Sequence, residues 1–243
     1  MRILIGIDDT DNLETEGTGH RVRVLCQRLM EAGLAQGRGI TRHQLLVSPE
    51  IPYTSHNSSA CLDAETVPER MDEIWAACRA FLLAESAPGS DAGLCLAAFE
   101  QAGPRVRAFG TRAKMEVLRK AEAQSLADAA DIRLEGLTGT GGGIIGALAG
   151  VGLHAAGQDG RFLWMPGLRE MTGERVSAGE LAERTGIGAV LTLNGRALGP
   201  QEWIDLGAWP RPVLRAGQAV LLVEEDENGW HCLSKEIVKQ LSE

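Results

Sequence analysis

The chain has 243 residues, of which 44% are apolar, so it is long enough to bury a hydrophobic core without disulfides or structural metals. Its formal net charge of −9 and isoelectric point near 5.2 argue against a broad surface for nucleic acids or anionic membranes, and leave only a local basic patch for such partners. The cysteines form no CxxC pair and no apolar run reaches the roughly 18 residues of a membrane span, so we expect a cytoplasmic protein without a disulfide scaffold, zinc ribbon or membrane partner.

The first half of the chain predicts alternating strands and helices. Residues 2–7, RILIGI, form a short apolar run that ends in acids, which predicts a buried strand. Apolar residues spaced three and four apart predict an amphipathic helix over 20–34, and residues 43–48 predict a second strand. The further elements expected here are a helix from the capping-box pair Thr66 and Glu69 to about Glu85, a strand in 94–99, a helical stretch over 112–130 and a strand over 132–137.

The second half is richer in predicted β structure. The glycine-rich run TGTGGG, 138–143, leads into IIGALAGVGLHAA, which we expect to form a mostly buried helix. The elements expected after it are strands in RFLWM and AVLTLNGRAL, a short helix capped by Ser177 and Glu180, and a hairpin that turns at DENG. Together the elements favour an α/β (α+β) fold of two domains, residues 1–130 and 131–243.

An acidic loop follows the first predicted strand. Asp8, Asp9 and Asp11 place three carboxylates within four residues, and such like charges repel one another unless a cation lies among them. Hard oxygen ligands favour Mg²⁺ over zinc, and the EF-hand pattern of a calcium loop is missing. Thr18 and Gly19 begin the next helix, where free N–H groups favour a phosphate. Spacing alone leaves open the alternative that these acids cap the helix and line a solvated loop.

The glycine-rich run also matches a dinucleotide-binding pattern. Gly141, Gly143 and Gly146 satisfy GxGxxG after a predicted strand and before a predicted helix. The acidic residue expected at the end of the following strand is missing, because RFLWM ends in Met165 and Pro166. The run lacks the GK[ST] ending of a Walker loop as well. Close packing of a helix through small residues is the alternative explanation.

Three segments together resemble one known family: GIDDTDNLETEGTG at 6–19, PEIPYTSHNSSA at 49–60 and GTGGGIIGALAGVGL at 139–153. They are similar to segments of the archaeal tRNA-isoleucine agmatinylcytidine synthetases. The resemblance implies that residues 1–130 form a kinase-like domain whose GIDDTD loop binds ATP and Mg²⁺, and that residues 131–243 form a ferredoxin-like α+β domain with a β-rich tail. The OB-fold and zinc ribbon with which the family binds tRNA are expected to be absent.

The resemblance also implies the residues of the site. The residues expected to hold the metal and to act in catalysis are Asp8, Asp9 and Asp11. The residues expected to contact the nucleotide are Gly6, Thr10, Thr18, Gly19, His20, His56, Asn57 and Lys114. The family carries a lysine and an arginine after IPY that suit the neutralisation of transferred phosphate, whereas Thr54, Ser55 and His56 stand here. The candidates to replace that positive charge are Arg112, Lys114 and His56 itself.

The predicted function is that of an ATP- and Mg²⁺-dependent phosphotransferase or ATPase, acting on a small molecule or on a substrate delivered by a partner. One alternative is a nucleotide-binding regulatory module that has lost catalysis, which the missing basic pair suggests. Another is a tRNA-modifying subunit that needs a separate RNA-binding partner. The sequence does not decide the phosphate acceptor, the preferred nucleotide or whether the chain forms a homodimer.

Overall fold

The computed structural model describes residues 1–51 and 57–242. The strands it contains are β1 (Arg2–Asp8), β2 (Gln36–Gln44), β3 (Ser58–Glu65), β4 (Gly93–Ala98), β5 (Arg133–Gly136), β6 (Arg161–Trp164), β7 (Arg175–Ser177), β8 (Ala189–Thr192), β9 (Trp203–Asp205), β10 (Val213–Arg215), β11 (Gln218–Asp226) and β12 (Gly229–Cys232). The helices are α1 (Thr18–Glu31), α2 (Met71–Glu85), α3 (Pro104–Arg112), α4 (Lys120–Ala129), α5 (Ile144–Ala156), α6 (Ala178–Thr185) and α7 (Lys235–Ser242). This mixed architecture confirms the predicted α+β fold class.

The strands form one sheet in the order β5-β4-β1-β3-β2-β6-β10-β11-β12-β9-β7, with β8 paired to β11. The part from β5 to β2 is antiparallel throughout, and β1 lies near its middle. Because β1 and β4 run in opposite directions, the end of β1 lies beside the start of β4, with Asp8 opposite Gly93. The loops before β4 and after β1 therefore meet at one edge of the sheet.

Strand β1 is buried on both of its faces. Ile3, Ile5 and Ile7 pack in one core with residues of α1 and α2, whereas Leu4 packs in a second core with residues of α5. Helices thus cover the sheet on both sides of β1. This explains why β1 is a continuous apolar run and not an alternating one.

Helix α5 packs on the sheet through glycines. A Cβ atom at Gly6 would overlap the carbonyl oxygen of Ala147, and a Cβ atom at Gly146 would overlap the carboxylate of Asp8. A Cβ atom at Gly93 would meet the backbone of Gly143 in the same way. Close packing is therefore one role of the glycine-rich segment, and it brings the first turn of α5 against the end of β1.

The hydrophobic cores indicate where the chain could divide into domains. Strand β5 pairs with β4, and α5 shares a core with β1, β3 and β4, so residues 131–156 pack with the N-terminal strands. Of the strands that follow α5, β6 packs against the core of α1 and α2 through Leu163 and Trp164, and the others contribute to separate cores. The division into 1–130 and 131–243 stays a prediction, and this packing favours a division after α5. No helix of the two described ranges has the length and apolar character needed to cross a bilayer.

Most of the predicted elements are present. Among them are β1, α1, β4, β5, α5 and β6, and the hairpin of β11 and β12 turns where DENG stands, with Asp226 opposite Gly229. Ser177 caps α6, because its Oγ accepts a hydrogen bond of 3.1 Å from the amide of Glu180. These predictions are confirmed.

Other elements differ from the prediction. Strand β2 covers 36–44 and not 43–48, because its pairing with β3 and β6 ends there and Leu46 donates its amide to Ala113 instead. The stretch 112–130 holds the end of α3 and all of α4, separated by a segment that lines a cavity described below. Thr66 is not a helix cap, since its hydroxyl donates to the carbonyl of Leu34 at 2.7 Å. Strand β3 was not predicted.

Candidate active site

A cavity of about 200 Å³ opens where β1 ends. Its walls come from the loop after β1, the start of β3, the loop before β4, the segment after α3 and the start of α5. The carboxylates that line it are Asp8, Asp9, Asp11, Glu50, Asp91 and Glu116, and Asn57 lines it as well. The antiparallel pairing of β1 and β4 therefore adds Asp91 to the acids predicted from the sequence.

The acids Asp8 and Asp9 are destabilised in their charged form. Burial raises the pKa of Asp8 well above its ordinary value, and repulsion from Asp9 adds to this. Burial raises the pKa of Asp9 to about 6, with further repulsion from Asp91 and Asp11. A cation placed among these groups would relieve both effects.

Backbone geometry fixes Asp9 in this position. Its φ angle of 51° lies in the left-handed region, which aspartate tolerates better than most residues. The carbonyl oxygen of Asp9 accepts a hydrogen bond of 3.2 Å from the amide of Asp91, and the carbonyl of Thr10 accepts one of 2.9 Å from Ala87. The loop before β4 therefore holds the acidic loop against the sheet.

In contrast to Asp8 and Asp9, Asp91 is stabilised in its charged form. Burial raises its pKa, but hydrogen bonds from Thr140 and from backbone amides outweigh this and hold the pKa below the ordinary value. The hydroxyl of Thr140 donates to one carboxylate oxygen at 2.6 Å, and the amide of Gly141 donates to the other at 2.5 Å. The glycine-rich segment thus keeps Asp91 ionised beside the cavity.

A second cavity, of about 210 Å³, adjoins the first at the start of α1. The residues lining it that could bind an anion are Thr18, Gly19, Arg23 and Arg42. It shares Asp11 and Ser58 with the first cavity. The N–H groups of the first turn of α1 lack partners within the helix and favour negative charge. This end of the site is therefore suited to phosphate.

Threonine hydroxyls connect the two cavities. The hydroxyl of Thr18 donates to Asp11 at 3.1 Å, and the hydroxyl of Thr10, fully buried, donates to that of Thr18 at 3.0 Å. Asp11 therefore faces both the acidic cavity and the first turn of α1. A metal ion bound by Asp11 would lie close to phosphates bound at that turn.

The donor set fits Mg²⁺ in its usual protein mode. Among the described residues, no three Asp, Glu, His or Cys side chains already form a cage for a metal ion. Mg²⁺ is commonly held by one or two carboxylates together with substrate phosphates and water, so a preformed cage is not required. The raised pKa values of Asp8 and Asp9 are the observation in this structure that favours a cation here.

The structure brings most of the predicted site residues together. Asp8, Asp9, Asp11 and Asn57 line the first cavity, and the amide nitrogen of Asn57 donates to the carbonyl of Leu46 at 2.6 Å. Thr18 and Gly19 line the second, above the buried Thr10. His56 lies outside the described residues.

Three other predicted residues lie elsewhere. Gly6 is covered by α5, and His20 is exposed with its Nε2 at 2.6 Å from a carboxylate oxygen of Glu16. Lys114 forms an ion pair with Asp159 and is not among the residues that line the first cavity. Arg112, the other candidate, pairs with Glu116 and Glu122. The roles of these residues in nucleotide binding stay predictions.

Arg23, Arg42 and Asp91 were missed. Arg23 lies one turn after Gly19 on α1, a spacing that places both on one helix face, so this signal was available. Arg42 reaches the cavity because β2 pairs with β3, which sets Arg42 opposite Ala60. Its position depends on a register that the sequence does not reveal.

Comparison with solved structures identifies similar folds. A complex of TiaS with tRNA and ATP matches with a TM-score of 0.55 and 25% identity, covering 63% of this chain and 36% of that one. A tRNA fluorescent labeling enzyme matches with a TM-score of 0.55 and 26% identity over the same shares of the two chains. Apo TiaS, described as a tRNA agmatidine synthetase, matches with a TM-score of 0.54 and 24% identity, covering 63% of this chain and 35% of that one.

The chain thus spans about a third of the length of the solved structures that it matches. No protein-family model and no curated protein matches it. The similarity to TiaS agrees with the resemblance that the three sequence segments carry. Over nearly two thirds of its length the chain therefore resembles TiaS in fold.

Proposed function

We propose that this protein binds ATP together with Mg²⁺ across the two adjoining cavities and transfers a phosphoryl group or hydrolyses ATP. The observation that carries the proposal is a cavity lined by Asp8, Asp9 and Asp11 that continues to the N-terminal turn of α1. The raised pKa of Asp8 and Asp9 agrees with a cation site there. The similarity to a TiaS complex with tRNA and ATP supports it. The site joins an acidic end to a basic end, as a metal–nucleotide complex requires.

Each group has a role in this proposal. Asp8 and Asp11 hold Mg²⁺, which when bound would neutralise charge on the phosphates. Asp9 either joins them or orients the attacking group. The amides of Thr18 and Gly19 bind phosphate oxygens, and Thr10 fixes the hydroxyl of Thr18.

Arginines near α1 supply positive charge to the site. Arg23 and Arg42 line the cavity at the start of α1, and Lys114 is not among the residues that line either of the two cavities. Guanidinium groups can bind phosphate oxygens through two parallel hydrogen bonds. We propose that these arginines take the place of the lysine and arginine that the family carries after IPY.

A thermal-shift screen tests nucleotide binding. We expect ATP with Mg²⁺ to raise the melting temperature by several degrees, because ligand at about 1,000 times its Kd stabilises the native state by about 4 kcal/mol. ATP with EDTA and Mg²⁺ without nucleotide are the controls and should give much smaller shifts. Equal shifts with and without Mg²⁺ would contradict the role of the acids, and no shift with any nucleotide would contradict the proposal.

Two further assays separate the alternatives. Mg²⁺-dependent release of ADP from ATP distinguishes an enzyme from a regulatory module, which would bind ATP and leave it intact. A gel shift with total tRNA at low salt tests whether the chain is a tRNA-modifying subunit. If the tRNA is not retained, tRNA is not a direct partner of this chain. The cytoplasmic location and the homodimer stay predictions.

A further inference from the structure

A third cavity lies on the far side of Arg23. It has a volume of about 360 Å³ and shares Arg23 and Leu163 with the cavity at the start of α1. The other charged residues that line it are Arg169, in the turn after β6, and Arg211, in the segment before β10. The three cavities therefore form a series that begins among carboxylates and ends among guanidinium groups.

None of the three arginines forms an ion pair with a carboxylate of the described residues. Within the described ranges, no carboxylate lies within 4 Å of Arg23, Arg169 or Arg211, although many other arginines of this chain form such pairs. Arg23 contacts the ring of His20, at 3.4 Å, and Arg211 donates to a carbonyl at 3.3 Å and stacks 5.0 Å from the ring of Trp209. Their charge is therefore not balanced by a paired carboxylate.

The electrostatic consequence is mutual repulsion. Burial lowers the pKa of Arg23, and the charge of Arg169 lowers it further, whereas the charge of Glu16 offsets only part of this. Burial also lowers the pKa of Arg211, with repulsion from Arg23, Arg161 and Arg169. Such a concentration of positive charge stands out in a chain whose net charge is −9. An anion in the cavity would convert the repulsion into attraction.

The rest of the cavity is apolar. Phe162, Trp164 and Leu168 line it between the arginines, so a ligand with an organic part could bury apolar surface there. Its volume is large enough for a small molecule but small for a folded polymer. Apolar walls with a few charged groups are typical of small-molecule sites.

We propose that Arg23, Arg169 and Arg211 bind the phosphate of a small organic phosphate monoester. Planar guanidinium groups match phosphate oxygens through paired hydrogen bonds, and three of them can share one dianion. That this ligand is the second substrate of the reaction rests on the proposed function, because the cavity continues from the expected phosphate end of the nucleotide site. Binding of the anion itself does not depend on ATP.

Calorimetric titration with phenyl phosphate in EDTA tests the site directly. We expect wild-type protein to bind it and the double variant Arg169→Gln/Arg211→Gln to bind it at least about tenfold more weakly. The matched control is Arg175→Gln/Arg215→Gln, which changes the net charge equally at arginines outside the three cavities and should bind like wild type. Melting temperatures of both double variants show whether they are folded.

The outcomes distinguish this inference from the proposed function. Asp8→Asn/Asp11→Asn should keep phenyl phosphate binding while losing Mg²⁺–ATP binding, and phenyl phosphate binding without ATP binding would remove only the proposed function. No binding by wild type, or equal binding by the two double variants, would overturn the anion site. Retention of a short single-stranded RNA in place of phenyl phosphate would overturn the assignment to a small molecule.

Discussion

Replacing Asp8 by Asn is expected to abolish Mg²⁺-dependent ATP binding and at the same time to raise the melting temperature of the ligand-free protein at pH 7. The loss follows because the neutral amide is a much weaker ligand for Mg²⁺. The gain follows because Asp8 is charged in the unfolded chain, whereas burial and Asp9 oppose its charge in the fold. Differential scanning fluorimetry in EDTA, and then with Mg²⁺–ATP, measures both effects. A rise of about 2–4 °C is expected for each kcal/mol gained.

The raised pKa of Asp9 sets the pH range in which an acid-to-amide substitution stabilises the ligand-free fold. Its pKa rises from 3.8 to about 6 on folding, so both states are protonated below about pH 4 and the carboxyl then has no effect on stability. Between about pH 4 and pH 6 the unfolded chain loses its proton first, and the native state is destabilised by a growing amount. The gain in stability from Asp9→Asn should therefore be full above about pH 6 and vanish below about pH 4. Asparagine also tolerates the left-handed φ of 51°.

Glu183→Gln is the control for these acid-to-amide variants. Glu183 is exposed on α6, so its neutralisation should change the melting temperature and ATP binding very little. Unchanged ATP binding in Asp8→Asn, or a lower melting temperature in the absence of ligand, would contradict the view that these acids form a binding site at the expense of stability. The alternative of a solvated, helix-capping loop would then be favoured.

Replacing Asp63 by Asn is expected to destabilise the fold by about 3 kcal/mol. Asp63 is buried, and its two carboxylate oxygens accept hydrogen bonds of 2.9 Å from Arg2. His154, also buried, lies 3.6 Å away and is linked through Thr41 to the rest of a polar network on the α5 face of the sheet. Removal of the charge would leave Arg2 without its partner in a partly buried position. Urea denaturation followed by circular dichroism measures the loss.

The contribution of Asp63 to stability depends on pH with the opposite sign to that of Asp9. Burial raises the pKa of Asp63, but contacts with His154 and Arg2 outweigh it and hold the pKa below its ordinary value of 3.8. The contribution to stability is therefore present above about pH 4 and is lost as the pH falls through the lower native pKa. The control is Glu65→Gln on the same strand, an exposed acid paired with Arg38. Arg38 also lies 3.4 Å from Asp63 and so keeps a carboxylate partner, and the substitution should cost less than about 1 kcal/mol. Equal losses in the two variants would contradict the account of the buried network.

Local patterns sufficed to predict the parts of the site that are continuous in sequence. The apolar run of β1, the acids after it and the start of α1 at Thr18 lie within the first 18 residues, and each has a local signal. The two cavities adjoin each other, and their assignment to a metal ion and to an anion stays a prediction.

Other parts of the fold and of the site depend on pairing between strands that are far apart in the sequence, and local sequence patterns do not reveal such pairing. Strand β3, SSACLDAE, has no β-branched or aromatic residue, and it is a strand because β1 and β2 pair with its two edges. Asp91 joins the acids only because β4 runs antiparallel to β1. Arg169 and Arg211 come together through strands of the C-terminal part, whose β7, β9 and β10 are only three residues long and carry little local signal.

The most direct test of the central claim is a crystal structure with a non-hydrolysable ATP analogue and Mn²⁺ in place of Mg²⁺. We expect an anomalous peak at the carboxylates of Asp8 and Asp11, with the analogue's phosphates at the amides of Thr18 and Gly19. Carboxylates that face bulk solvent, with the nucleotide bound elsewhere or not at all, would contradict it.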